Sequence, residues 1–170
     1  MRYYIAFGAN LGDRADTFRR VIAAVESLLA PVERVSKLYR TAPLNPPELQ
    51  ESSQPEFLNG AFALRSARPP LEVLDILLGI ERELGRDRER TVRWGPRTVD
   101  LDIIAIDDLT LSEPRLTVPH PEMHNRDFVL IPLADIDPAW VHPRFAKSVS
   151  ALIEELHRGD RPTFMTAVEG

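Results

Sequence analysis

One stretch constrains the fold of this chain more than any other. Two carboxylates interrupt an apolar run in Thr98-Val99-Asp100-Leu101-Asp102-Ile103-Ile104. The run reads as a buried strand, in which successive side chains point to opposite faces. Asp100 and Asp102 then share a face with Thr98, their Cα atoms about 6.6 Å apart, while Val99, Leu101 and Ile103 point the other way. A fold that buries such a strand has to neutralise both carboxylates with cations, protons or a metal, because isolated buried charge is very costly. Arg93 and Arg97 stand just upstream. The chain has no cysteine, and hard oxygen ligands favour Mg²⁺ or a similar ion over zinc. Paired aspartates beside arginines point to metal-assisted phosphoryl chemistry.

The rest of the chain sets the frame for that strand. At 170 residues it is most simply one domain with a real core, expected over residues 1–160, with a frayed tail at 161–170. No apolar stretch reaches the length of a membrane span, and Tyr3 to Phe7 is too short for a signal-peptide core. A cytoplasmic monomer is the default expectation, with no membrane and no obligate protein partner. The net charge of −5 argues against broad nucleic-acid binding, which wants a basic face. Lysine occurs only at Lys37 and Lys147, so positive charge is nearly all arginine, and Arg82, Arg86, Arg88, Arg90, Arg93 and Arg97 crowd together. Interleaved Glu81, Glu83, Asp87 and Glu89 could make part of that cluster a solvated, salt-bridged segment.

Hydrophobic spacing predicts a strand over Tyr3–Phe7, a turn over Gly8–Asp13 and a helix from Thr17 to Leu29, stopped at Pro31. Val32 to Arg40 alternates as a second strand. Thr41 to Pro55 carries four prolines and few anchors, the mark of a lid or binding loop. A third strand over Phe57–Leu64 and a helix over Leu71–Leu84 follow, with Gly85 at the helix end. The arginine-rich loop leads into the aspartate strand, which runs to about Ile106. Strand-helix-strand-strand-helix-strand is the split βαβ, ferredoxin-like pattern of an α/β (α+β) domain. Beyond it come a short strand at Leu116–Val118, a helix from Asn125 disturbed by Pro132, and a last helix over Ser148–His157.

Four ordered blocks of this sequence resemble the 6-hydroxymethyl-7,8-dihydropterin pyrophosphokinases of folate synthesis. They are Ile5 to Gly12; Tyr39 to Leu44 with Phe57-Leu58-Asn59; Arg93 to Ile104; and Leu116 to His120 followed by Asn125 to Phe128. The resemblance spans Tyr4 to about Pro138. It implies transfer of diphosphate from ATP to the pterin hydroxymethyl group with release of AMP, so that attack falls on the β-phosphorus. Such a transfer is catalysed mainly by positioning and electrostatics.

Carried over residue by residue, the resemblance makes Asp100 and Asp102 the ligands of two Mg²⁺ ions, and Arg86 and Arg97 catalytic with them. Arg88, Trp94, Arg97, Ile103, Arg115, Thr117, His120 and Arg126 would bind nucleotide. Thr41, Ala42, Pro43, Leu44, Phe57, Asn59, Trp94 and Phe128 would bind pterin, with Phe57 and Phe128 sandwiching the ring and Asn59 meeting its amide-like edge. Arg86 and Arg88 match arginines of a mobile loop. The segments Thr41 to Glu56 and Arg86 to Trp94 are expected to close over substrates. Gly8-Ala9-Asn10-Leu11-Gly12 lacks the lysine and spacing of a P-loop and reads as a structural turn that could line the site floor.

Two other classes stay open from the residues alone. A ferredoxin-like nucleic-acid-binding module would need stacking aromatics on exposed strands and a basic surface. A two-metal phosphohydrolase would recruit further carboxylate or histidine ligands, and the sequence shows no obvious third carboxylate near the pair.

Overall fold

A computed structural model describes residues 1–43, 55–86, 96–158 and 165–168. Its centre is β1 (Arg2–Ala9), which pairs antiparallel with β4 (Phe57–Arg65) on one side and β5 (Asp100–Ile106) on the other. Helix α1 (Arg14–Leu28) follows β1, and α2 (Pro70–Glu83) joins β4 to β5. The arrangement is the expected ferredoxin-like α+β core. Asp13 caps α1, its carboxylate accepting from Asp16 N at 3.0 Å; Phe18, Val21 and Val25 then fall on one buried stripe. Pro70 opens α2, and Gly85 ends it at φ +89°, a conformation that favours glycine.

The expected second strand divides into β2 (Val32–Val35) and β3 (Leu38–Thr41), both paired with β4. Ser36 makes the break: its N–H donates to Ala61 O at 2.9 Å and its hydroxyl accepts from Ala61 N at 2.8 Å. The register slips by one residue there, as a bulge requires. Within the tail expected to fray, the described residues form β10 (Met165–Val168), which pairs antiparallel with β3 along the sheet edge.

Each face of the sheet has its own apolar layer. Tyr3, Ile5, Phe7, Phe62, Leu64, Leu101 and Ile103 pack against α1 and α2. Tyr4, Ala61, Ala63, Ile104 and Ala105 pack against α3 (Asp127–Ile136) and α4 (Val149–Arg158). Helix α3 runs through Pro132 rather than stopping at it. A proline costs one intrahelical hydrogen bond, and here its ring is buried in that second layer. Asp135, in the last turn of α3, accepts from Lys37 N and Tyr39 Oη at 3.0 and 2.8 Å. Asp137, at its end, accepts from Tyr4 Oη at 2.7 Å. These ties fix the far end of α3, and its first turn therefore lies over the end of the sheet that carries the aspartates. Two small hairpins, β6–β7 (Leu111–Glu113, Leu116–Val118) and β8–β9 (Val141–His142, Lys147–Ser148), complete the described structure.

Candidate active site

The register of three strands builds the floor of the site. Gly8 of β1 is paired with Asn59 on one side and Asp100 on the other, and Ala6 is likewise paired with Ala61 and Asp102. Asn59–Gly8–Asp100 and Ala61–Ala6–Asp102 are therefore two parallel rows, with small residues at the centre of each. At about 4.8 Å per strand step, Asn59 and Asp100 stand roughly 10 Å apart. A Cβ on Gly8 would lie 3.3 Å from Asn59 Oδ1 and 3.9 Å from Asp100 Cβ, so a side chain here crowds the amide and narrows the row. The cavity above encloses about 830 Å³, counting its open mouth, and Asn59, Asp100 and Asp102 all line it.

The aspartates sit here because the other face of their strand is apolar. Val99, Leu101 and Ile103 are at most 3% exposed. Each contributes about 1.5–3 kcal/mol by burial, together roughly 5–9 kcal/mol. That is of the order needed to hold two partly desolvated carboxylates.

Cations meet Asp100 directly. Arg86 Nη1 donates to Asp100 Oδ1, and Arg97 Nη1 to Asp100 Oδ2. The same Arg86 nitrogen donates to Glu81 Oε1, which also accepts from Leu101 N at 2.8 Å. Although burial works against its charge, Arg86 is held protonated by Asp100 and Glu81. The Nε atoms of Arg86 and Arg97 are buried with no hydrogen-bond partner among the described residues, as is Thr98 Oγ1. Burial, then the charges of Asp100 and Glu81, push the Asp102 carboxyl up to about 6. Glu81 is thus a third carboxylate beside the pair. In sequence it is disguised as one position on the buried face of α2, between Leu77 and Leu84; its signal was a charge on an apolar stripe.

Opposite the aspartates the lining becomes aromatic and amide-bearing. Asn59 Nδ2 donates to Thr41 Oγ1 at 2.7 Å, fixing the amide. Phe57, Phe128 and Ala42 line the same cavity, with the Arg126 guanidinium 5.8 Å from the Phe128 ring centre. His120 stands between, its backbone N–H donating to Ile104 O at 2.9 Å and its Nδ1 accepting from Glu122 N at 3.1 Å. That bond leaves Nε2 to carry the proton of the neutral ring. Burial, then Arg126, holds the His120 pKa below the usual histidine range, with Glu122 and Asp100 opposing. Asn10 ties the entrance loops together: its N–H donates to Arg97 O at 3.1 Å, its Oδ1 accepts from Arg97 N at 2.7 Å, and its Nδ2 donates to Pro55 O at 3.4 Å.

The profile of the 7,8-dihydro-6-hydroxymethylpterin-pyrophosphokinase (HPPK) family matches residues 4–138. This chain belongs to the HPPK family. It is 42% identical over 153 residues to the 2-amino-4-hydroxy-6-hydroxymethyldihydropteridine pyrophosphokinase of Synechocystis sp., covering 89% of this chain and 74% of that protein. The Pseudomonas aeruginosa protein of the same name is 45% identical over 140 residues, 81% of each. Among solved structures, an HPPK-DHPS in complex with substrates superposes with a TM-score of 0.69 over 91% of this chain at 14% identity. This chain spans 45% of that longer protein, and at such identity the likeness is one of fold.

Of the HPPK residues expected from sequence, Thr41, Ala42, Phe57, Asn59, Arg97, Asp100, Asp102, His120, Arg126 and Phe128 line one cavity, and Arg86 touches it through Asp100. Ile103 does not bring its side chain to the cavity. It is 3% exposed in the layer against α1 and α2, and Ile104 lines the cavity instead. The alternation that puts Asp100 and Asp102 on one face turns Ile103 to the other, and Ile104 is the extra residue where the β1–β5 register shifts. Arg115 is exposed and paired with Asp75 of α2. Neither it nor Thr117 of β7 nor Pro43 is among the residues lining the cavity. Leu44, Arg88 and Trp94 lie outside the described residues, as do 44–54 and 87–95 of the two segments expected to close.

The donor set suits a hard divalent cation. Asp100 and Asp102 present carboxylate oxygens side by side, and Asp102 is crowded by negative charge that a cation would relieve. Among the described residues no group of three or more acidic or histidine side chains is arranged to hold a metal by itself. Mg²⁺ typically binds through one or two carboxylates together with substrate phosphates, and the pair fits that mode. No described helix is long and apolar enough to cross a membrane.

Proposed function

We propose that this chain transfers the terminal diphosphate of ATP to the hydroxymethyl oxygen of 6-hydroxymethyl-7,8-dihydropterin, releasing AMP. The row Asn59–Gly8–Asp100 carries this reading. It joins an amide that can read a heterocycle edge to a carboxylate pair that can hold phosphate-bound metal. The separation, roughly 10 Å, suits a flat bicyclic ring carrying a short hydroxymethyl arm. Family membership supplies the same substrates independently.

In the reaction the hydroxyl oxygen bonds to the β-phosphorus and gives up its proton to solvent, the bond from that phosphorus to the α,β-bridging oxygen breaks, and AMP leaves with that oxygen. Asn59, held by Thr41, orients the ring edge, and Phe57 and Phe128 flank its faces. Arg97 and Arg86, each with a spare buried N–H, meet phosphate oxygens as the negative charge shifts toward AMP. His120 donates from Nε2, and Arg126 adds positive charge on the same side. Asp100 and Asp102 would hold Mg²⁺, which when bound neutralises the triphosphate and polarises the hydroxyl. AMP formation from ATP and Mg²⁺, followed with and without the pterin, tests the proposal. AMP that appears only with the pterin, and stops on chelation, is the expected result. ADP would mean ordinary γ-phosphoryl transfer, phosphate release without pterin a phosphohydrolase, and intact nucleotide a binding module.

A further inference from the structure

We infer that β10 is a positioning element for the pterin side of the site, holding the Thr41 end of β3 and through it the Asn59 amide. The inference rests on the substrates proposed above, and it concerns a strand that supplies none of the described cavity-lining residues. β10 lies outside residues 4–138, the span that matches the family profile. It reaches the site through strand register. Ala167 pairs with Tyr39 and Tyr39 with Asn59, so the row Asn59–Gly8–Asp100 begins in the tail. Met165 pairs with Thr41, and Thr41 with Phe57 of the cavity wall.

The two ends of β3 are held differently. Near its start, Lys37 N and Tyr39 Oη donate to Asp135 of α3 at 3.0 and 2.8 Å. Thr41, at the other end, has no such tie to a helix among the described residues; its flanks are β4 on one side and β10 on the other. Without β10, β3 would be the edge of the sheet, and the ends of edge elements open most readily. Thr41 matters because its Oγ1 accepts from Asn59 Nδ2 at 2.7 Å. A shift of about 1 Å takes that bond past hydrogen-bonding distance. The amide is then free to turn, which exchanges its donor and acceptor and offers a heterocycle edge the wrong pattern. Pairing of β10 therefore favours the pterin-competent amide, and by linkage a bound pterin favours pairing of β10. Thr166 and Ala167 are exposed, so the tail acts here through its backbone.

The double variant T166P/A167P tests this. Successive residues of an antiparallel strand point their N–H groups to opposite sides, so one of the two prolines removes a bond to β3. Calorimetry reads the affinity for a non-hydrolysable ATP analogue with Mg²⁺, and then for 6-hydroxymethyl-7,8-dihydropterin added to that complex. The expected result is a loss of at least about fivefold for the pterin, the lower end of ordinary coupling between sites. Analogue affinity should hold within about twofold, because Asp100 and Asp102 lie three strands away from β3. T166V/A167V, which keeps both N–H groups, should bind the pterin as wild type does. In wild type, backbone amide exchange over 165–168 should slow when the pterin joins the analogue complex. A T166P/A167P protein that binds the pterin as tightly as wild type overturns the inference. So does an equal loss for pterin and analogue, which would leave β10 as general edge cover. Wild-type exchange over 165–168 that ignores the pterin overturns it as well, and decides alone if T166P/A167P fails to fold. A wild-type protein that binds the analogue but no pterin refutes the proposed substrate, and the inference falls with it.

Discussion

Gly8→Val is the sharpest test of the strand-row geometry. Gly8 is not among the glycines with positive φ, so a strand-favouring side chain meets no backbone penalty there. The obstacle is spatial. A Cβ would already lie 3.3 Å from Asn59 Oδ1 and 3.9 Å from Asp100 Cβ, and the valine methyls add about 1.5 Å more. They would stand on the line between the amide and the carboxylates, lifting any occupant by an ångström or more. Misplacement on that scale costs about 100-fold, close to 2.7 kcal/mol in transition-state stabilisation. AMP release at saturating Mg²⁺-ATP, with the pterin varied, should show kcat/KM falling by about that factor for Gly8→Val and by at most tenfold for Gly8→Ala. Thermal midpoints should drop by less than about 4 °C, the equivalent of roughly 1 kcal/mol in a chain this size. A folded Gly8→Val protein within twofold of wild type would refute the reasoning, since the row could not then be where the pterin lies.

Asp102→Asn should reduce turnover by more than about 100-fold, beyond the usual cost of a supporting residue. In metal-free buffer at pH 7 it should also melt higher than wild type, because it relieves a half-buried carboxylate crowded by Asp100 and Glu81; a lower midpoint would contradict that crowding. Gly60→Ala should shift stability by no more than about 1 kcal/mol in urea titration, since its Cβ would lie 2.7 Å from Leu38 Cδ2, the end of a half-buried side chain that can turn away, and no backbone atom is closer than 3.7 Å; a loss above about 3 kcal/mol would contradict that freedom. Burial, then His124 and Arg144, holds the His142 pKa below the usual range. Its contribution to stability is therefore complete above the unfolded value of about 6.5 and is lost as pH falls through the lower folded value. Melting curves between pH 7.5 and 5 should fall less steeply for His142→Gln than for wild type, and parallel slopes would exclude this role.

The sequence by itself determined the order of elements and the chemistry of one strand. Period-2 alternation with apolar residues on one face left Asp100 and Asp102 nowhere to go but the other, and helical spacing placed α1 and α2 to within a few residues. Local pattern also misled where partners decide. Pro132 was read as a break, yet packing of α3 between sheet and α4 carries the helix through it. The second strand was read as continuous, yet Ser36 bonding to Ala61 divides it. The tail was read as frayed, yet the open edge of β3 gives residues 165–168 a partner. Ile103 was assigned to nucleotide by resemblance, and the strand period, read correctly, turns its side chain to the face against α1 and α2. What only the tertiary structure decided is who meets the aspartates. Register between β4, β1 and β5 puts Asn59, Gly8 and Asp100 in one row from positions far apart in the chain. The crossing of α2 over β5 brings Glu81 beneath the site, where it looked like one more position on a buried helical stripe. Periodicity is a local property and shows which way a side chain points; what it meets is fixed by strand register and helix packing, which are non-local.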